Sequence, residues 1–275
     1  KSIMAPMVSS VKENKILNLN KKIIDEKNNL LQLRKFIENN FEYVGKDFSK
    51  KVREIYYDQE SKKTIYGTTT PKERKELADE RKALLRKFGT RIYRPKRPGE
   101  PWVRLTALGS YREVGRAMHL VTTNESRILV DCGAKPTINR NEVQPFFNAP
   151  ELLPLDNLDA IVLTHAHVDH IAMLPVLFRY GYRGPVYCTP PTRDLMTLLQ
   201  MDYIKVSQAE GSEPPYSKAD IQECIKHVVD VRWGDKTDIA PDVKITMENA
   251  GHILGSSSVY MQIGEGNFEH RLLFS

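Results

Sequence analysis

Three imidazoles and a carboxylate, His165, His167, Asp169 and His170, fall within six positions directly after the apolar run Ala160-Ile161-Val162-Leu163. Side chains alternate in direction along an extended segment, so His165 and His167 can grip one cation together while Asp169 and His170 turn toward a second. Neutral imidazole suits zinc, manganese or iron. A carboxylate added to a nitrogen-rich set fits a partly open catalytic site better than a closed structural one. The bland alternative is a histidine-rich surface loop; the sequence around it is not low-complexity and the strand before it is wholly apolar, which favours a metal site. Far downstream, His252 stands in Asn249-Ala250-Gly251-His252-Ile253-Leu254-Gly255-Ser256 and can complete a three-nitrogen set. Gly251 and Gly255 permit a sharp turn or a close backbone approach there. Alone, this element would read as a glycine-bounded turn with an incidental histidine.

Four stretches taken in order resemble a known family: Gly109-Ser110-Tyr111-Arg112-Glu113-Val114-Gly115-Arg116, then Leu129-Val130-Asp131-Cys132-Gly133, then the H-x-H-x-D-H run, then Ala250-Gly251-His252-Ile253-Leu254-Gly255. The order is similar to that of the metallo-β-lactamase fold, more narrowly to the β-CASP nucleases, and within these to archaeal homologues of the cleavage and polyadenylation specificity factor. The segment from Tyr182 to Leu195 matches that last group, and the resemblance spans about residues 100 to 275. It implies that His165, His167 and His252 bind one zinc ion, that Asp169 and His170 contribute to a second, and that Asp131 is a buried structural acid ordering the metal loop. Other divalent metals fit the same donors.

Two departures accompany the likeness. Family members carry Gly two residues after the last motif histidine, whereas this chain has Ala172. They also continue past a strand such as Arg271-Leu272-Leu273-Phe274-Ser275 into a Gly-Asp whose carboxylate bridges both metals, and then into the β-CASP domain. The expectation is therefore a fragment, or one part of a split protein whose second chain or missing segment supplies the bridging Asp and that domain. An apolar strand at such a position presents a sheet edge ready to pair.

With 275 residues, 40% of them hydrophobic, the chain can bury a substantial core, and two domains are expected. No apolar run approaches the length of a membrane span and no signal-peptide pattern opens the chain, so no membrane association is expected. Cys132, Cys188 and Cys224 are odd in number and widely spaced, which argues against a disulfide framework and for a reducing, cytoplasmic setting. Residues 1–100 hold 25 Lys/Arg against 14 Asp/Glu, a net of +11, while residues 101–275 hold 16 against 21, a net of −5. A basic N-terminal part suits a polyanionic partner with salt-sensitive binding, although solvated lysine-rich helices account for such charge equally well.

Residues 1–90 read as a basic α+β domain. A helix is expected over 28–37, a strand over 52–58 and another at 64–66. Family likeness places KH domains here, yet the G-x-x-G loop that clamps nucleic-acid backbone is missing, so the resemblance is to a degenerate KH-like unit. The one such match, Gly181-Tyr182-Arg183-Gly184, reads as a helix stop and turn. Thr70-Pro71-Lys72-Glu73 predicts a helix start and Gly89 its end. Residues 91–101, with three prolines, read as a linker. Residues 102–275 then follow as an αββα metallo-β-lactamase sandwich lacking its C-terminal part: a strand at 102–108, a hairpin over 117–131, a helix behind the metal loop in which Pro175 must sit in the first turn or at a kink, a strand at 186–188, a helix over 192–204, and strands at 243–247 and 258–263. His119, His227 and His270 lack ligand neighbours and read as structural or exposed. Glu113 and Arg116 either face substrate or pair with each other.

The resemblance implies a zinc-dependent ribonuclease that hydrolyses phosphodiester bonds of single-stranded RNA in 3′-end processing and transcription termination, with the rest of its site supplied from elsewhere. A non-catalytic RNA-binding or scaffold subunit is the alternative. A small-molecule hydrolase shares the H-x-H-x-D-H loop but leaves the basic N-terminal part unexplained. A homo-oligomer stays open.

Overall fold

The computed structural model describes residues 42–43, 65–66, 71–137 and 142–275. The chain divides into two compact units, Lys1–Glu80 and Arg81–Ser275. In the first, strands β1 (Glu42–Tyr43) and β2 (Ile65–Tyr66) pair in parallel. The helix expected over 28–37 and the strand over 52–58 lie outside the described residues.

Helix α1 runs from Pro71 to Ile92, beginning where the proline marks its first turn. It does not stop at Gly89 as expected. Glycine inside a helix costs only about 1 kcal/mol, and tertiary anchors outweigh that here. Phe88 is buried, and Arg91 donates to the Leu158 carbonyl at 2.8 Å. The run from Arg91 to Pro101, expected as a linker, is also tied down. Arg94 forks onto the Asp159 carboxylate at 2.7 and 3.2 Å, and the Arg97 N–H donates to Glu125 at 2.7 Å.

The second unit stacks a helical layer on two sheets. Strands β3 (Val103–Gly109), β4 (Met118–Thr123), β5 (Arg127–Val130), β6 (Ala160–Val162), β7 (Val186–Cys188) and β8 (Val228–Asp230) form the first sheet in sequence order. Strands β5 to β8 are mutually parallel, while β3–β4 and β4–β5 are antiparallel. Sheets covered on both faces carry unbroken apolar strands, and Ile128-Leu129-Val130, Ala160-Ile161-Val162 and Val186-Tyr187-Cys188 are buried throughout. Leu129, Ile161 and Val186 face a core shared with Leu174, Phe178, Met196 and Ile221 of the helices. Ile128, Val130 and Val162 face Ile245, Met247, Val259 and Met261 of the second sheet.

The helices are α2 (Val168–Ile171), α3 (Leu174–Arg179), α4 (Pro190–Ala209) and α5 (Lys218–Lys226). The helix expected behind the metal loop is thus broken at Ala172-Met173, and Pro175 sits in the first turn of its second piece. The second sheet is antiparallel, in the order β12 (Phe268–Phe274), β11 (Ser257–Glu265), β10 (Val243–Asn249), β9 (Lys236–Ala240). Along β11 burial alternates strictly, with Ser257, Val259, Met261 and Ile263 inward, as a half-covered strand requires. The two sheets thus pack face to face, with helices on the first sheet's outer face. The three cysteines are free and buried. Among the described residues no helix is long and apolar enough to cross a membrane.

Candidate metal centre

Because β3, β5 and β6 run the same way, Gly109, Asp131 and Thr164 all emerge at one edge of the first sheet. The site is assembled there. Asp131 follows β5 with a positive φ of 60°, a conformation that costs most L-residues about 1 kcal/mol or more and that Asp tolerates better than most. That backbone aims a buried carboxylate across the strand ends. It accepts from the Thr164 N–H, the Thr164 hydroxyl and His170 Nδ1, each at 2.8 Å. Asp131 therefore ties the start of the histidine segment to its end.

Backbone contacts fix the rest of that segment. The Cys132 N–H donates to the His170 carbonyl at 2.7 Å, and the Ala117 N–H donates to the Asp169 carbonyl at 2.8 Å. Gly133 lies so close that an added Cβ would stand 1.6 Å from the Asp169 oxygen. Glycine is obligatory there for close approach rather than for a positive φ. Ala172, where the family pattern has glycine, is fully buried with ordinary helical φ and ψ, so its methyl is accommodated in the core.

His252 arrives from the turn between β10 and β11. The Ser257 N–H donates to the Thr164 carbonyl at 2.9 Å, which brings this turn beside His165. Ser256 Oγ accepts from the N–H groups of His252 and Ile253 at 3.1 Å, and the hydroxyls of Thr189 and Thr192 donate to the Gly255 carbonyl at 2.6 and 2.9 Å. Gly255 has φ of +83°, and a Cβ there would meet the Thr192 nitrogen at 2.7 Å.

The three histidines converge. His167 Nδ1 lies 3.1 Å from His165 Nε2 and 3.1 Å from His252 Nε2, and each of the three offers a donor within 4.8 Å of the others. Nitrogens bound at about 2.05 Å in a tetrahedral shell stand about 3.3 Å apart, so the spacing fits one divalent ion. Asp169 and His170 lie alongside, with His170 Nε2 3.6 Å from the Asp169 carboxylate and its ring centroid 4.0 Å from that of His165. Among the described residues these two could offer donors to a second ion. Since Asp131 holds His170 Nδ1, Nε2 is the nitrogen left free to ligate.

Electrostatics favours a neutral donor at His165. Burial, reinforced by the charge of His170, pushes the His165 imidazole down from 6.5 to about 4, so its lone pair stays available at neutral pH. For His170 burial acts in the same sense, but the hydrogen bond and charge of Asp131 and the charge of Asp169 override it and raise the pKa. The two signs oppose. For His165 the unfolded chain binds a proton between about pH 6.5 and pH 4 that the folded chain refuses, so stability falls as pH drops through that window. For His170 the stabilising contribution is full below its unfolded value and fades as pH rises through its folded one. In urea denaturation of the metal-free chain, wild type is expected to lose more stability than His165→Gln between about pH 7 and pH 5. Parallel pH profiles would contradict this.

The structure brings together all six residues singled out from the sequence. Thr164, Ser256, Thr189 and Thr192, which hold the loops, carry no signal in the sequence that marks them. Glu113 and Arg116 pair with each other, Arg116 Nη2 lying 3.2 Å from Glu113, and Lys135 joins them at 2.9 Å. These two cations hold the Glu113 carboxyl down at about 2. His227 is buried and bonded to the Gly184 carbonyl, His119 packs on Phe274, and His270 is exposed.

Residues 120–266 match the family model described as a metallo-beta-lactamase superfamily domain, and residues 1–85 match one described as a protein of unknown function. Among curated relatives, a transcription termination factor FttA of Methanococcus maripaludis is 52% identical over 67% of this chain and 29% of its own length. The one of Methanosarcina mazei is 48% identical over 71% of this chain and 30% of its own. The chain thus spans about 30% of the length of these relatives. Among solved structures, the Rm3 metallo-beta-lactamase aligns at 19% identity with a TM-score of 0.40, covering 66% of this chain and 62% of that one.

Proposed function

The chain belongs to the metallo-β-lactamase superfamily, and from that premise we propose that it carries the metal-binding core of a zinc-dependent ribonuclease acting on single-stranded RNA in 3′-end processing and transcription termination. The observation that carries this reading is the convergence of His165, His167 and His252 beside Asp169 and His170. The relatives' name as termination factors and the basic first hundred residues support an RNA substrate. A small-molecule hydrolase accounts for neither.

Two zinc ions are the cofactor on this reading, the first on the three histidines and the second on Asp169 and His170. On this reading further ligands would be supplied by a partner chain or by a further segment carrying a β-CASP domain, in keeping with a chain that spans about 30% of the length of its relatives. When bound, such ions supply Lewis acidity and neutralise charge developing on a phosphoryl group. The chain's own residues prepare the site. His165 stays unprotonated at neutral pH, Asp131 keeps the His170 proton on Nδ1, and the Thr164 N–H and hydroxyl keep Asp131 in place.

Among the described residues the second set offers two donors, and this favours one alternative, a non-catalytic RNA-binding subunit. The discriminating test is cleavage of labelled single-stranded RNA by the chain purified with any polypeptide bound to it. Cleavage is expected to need a divalent ion, to stop on chelation, and to fall by more than about a hundredfold in His252→Ala. RNA retained but uncut with zinc bound supports the subunit reading. Cleavage that survives both chelation and the substitution refutes a metal mechanism.

A further inference from the structure

A cleft of about 770 Å³ lies away from the histidines, lined by the end of β3, the segment 144–148, the turn around Leu153 and the end of α3. Its volume is that of a small-molecule site. Phe146 and Tyr180 line it and are 61% and 73% exposed, so apolar ring surface is available to a ligand there. Gln144 and Asn148, also exposed, bring amide groups to the same lining, and Arg116 brings a guanidinium.

The chemistry of that lining selects a ligand class. Aromatic faces with amide edges match a nucleobase, which has a flat apolar face and a hydrogen-bonding rim. Arg116 pairs with Glu113, and Lys135 is shared between Glu113 and Glu142, so two carboxylates balance the two cations and the cleft suits a neutral base better than a phosphate. The position is also apt. Gly109 borders the cleft and emerges at the sheet edge where Asp131 and Thr164 begin the metal site, and Arg116 directly precedes Ala117, whose N–H holds the Asp169 carbonyl.

We propose that this cleft takes an unstacked base of single-stranded RNA, held against Phe146 and Tyr180 with its edge read by Gln144 and Asn148. The inference rests on the ribonuclease reading and deepens it by adding a base-binding subsite that positions the strand relative to the metal centre. The side chains involved are exposed, so truncating them should leave the fold intact.

The test is photocrosslinking of the full chain to a short single-stranded oligonucleotide carrying thiouridine, with binding measured in parallel by fluorescence anisotropy in chelator. Crosslinks are expected on peptides containing Phe146 or Tyr180. The double variant F146A/Y180A is expected to bind about tenfold more weakly with unchanged zinc content, in keeping with the loss of base stacking. Crosslinks confined to other peptides, an affinity unchanged in the double variant, or no RNA binding by the wild-type chain would each overturn the proposal. So would loss of self-association in the double variant with RNA affinity intact, which would make the cleft a protein interface. Zinc content and metal-dependent cleavage, scored on the same samples, separate these failures from failure of the ribonuclease reading.

Discussion

Replacing His252 with alanine is expected to weaken divalent-ion binding by more than about a hundredfold while leaving the fold's stability within about 0.5 kcal/mol of wild type. The two halves of this expectation have separate causes. His252 is exposed, and the ring contacts of its imidazole are with His165 and His167, so nothing in the core depends on it. The same imidazole supplies one of three converging nitrogens. Losing even an outer partner of a metal ligand costs about tenfold to a hundredfold, and losing a ligand exceeds that. Zinc titration against a competing chelator, with urea denaturation of the metal-free proteins, measures both. An unchanged zinc affinity would remove this residue from the site.

Asp131→Ala has the opposite signature, a large loss of stability that does not require metal. The carboxylate is 2% exposed and accepts three hydrogen bonds, so its removal strands the Thr164 N–H, the Thr164 hydroxyl and the His170 N–H in the interior. Breaking a buried charged network costs about 3–5 kcal/mol. Alanine at a φ of 60° adds about 1 kcal/mol more. Asn at this position tolerates the backbone and keeps one accepting oxygen, so it should recover about half of the loss. Its NH₂ would still face groups that are themselves donors. Denaturation of the metal-free variants tests the ranking wild type, Asn, Ala. Equal midpoints would show that Asp131 does not order the loop.

The legibility of this site in the sequence follows the range of the interactions. His165, His167, Asp169 and His170 announce themselves because four donors packed into six positions after an apolar strand suit little besides metal binding. His252 is persuasive only together with that cluster, since a glycine-flanked histidine is a common turn. The hydroxyls of Thr164, Ser256, Thr189 and Thr192 are silent. Threonine or serine beside a strand end carries no period, and its role appears only once Gly255 and Asp131 are close to it.

The fold is legible with the same selectivity. Apolar strands such as β6 and β7 and the alternating β11 follow directly from burial on two faces or one. Helix α5 escapes the sequence reading, although Ser217-Lys218-Ala219-Asp220 forms a capping box in which Asp replaces the more usual Glu. The expected stop at Gly89 fails because a local propensity of about 1 kcal/mol competes poorly with the burial of Phe88 and the bonds of Arg91. Short-range signals locate the donors, while the contacts that hold them rigid are long-range.

Whether three imidazoles from two distant stretches share one ion is answered most directly by X-ray absorption at the zinc edge on the chain loaded with one equivalent. The expected shell contains about three imidazole nitrogens at about 2.0–2.1 Å, with the imidazole scattering reduced in His252→Ala. A shell of oxygen donors without imidazole, or a spectrum that the substitution leaves unchanged, would contradict the shared site.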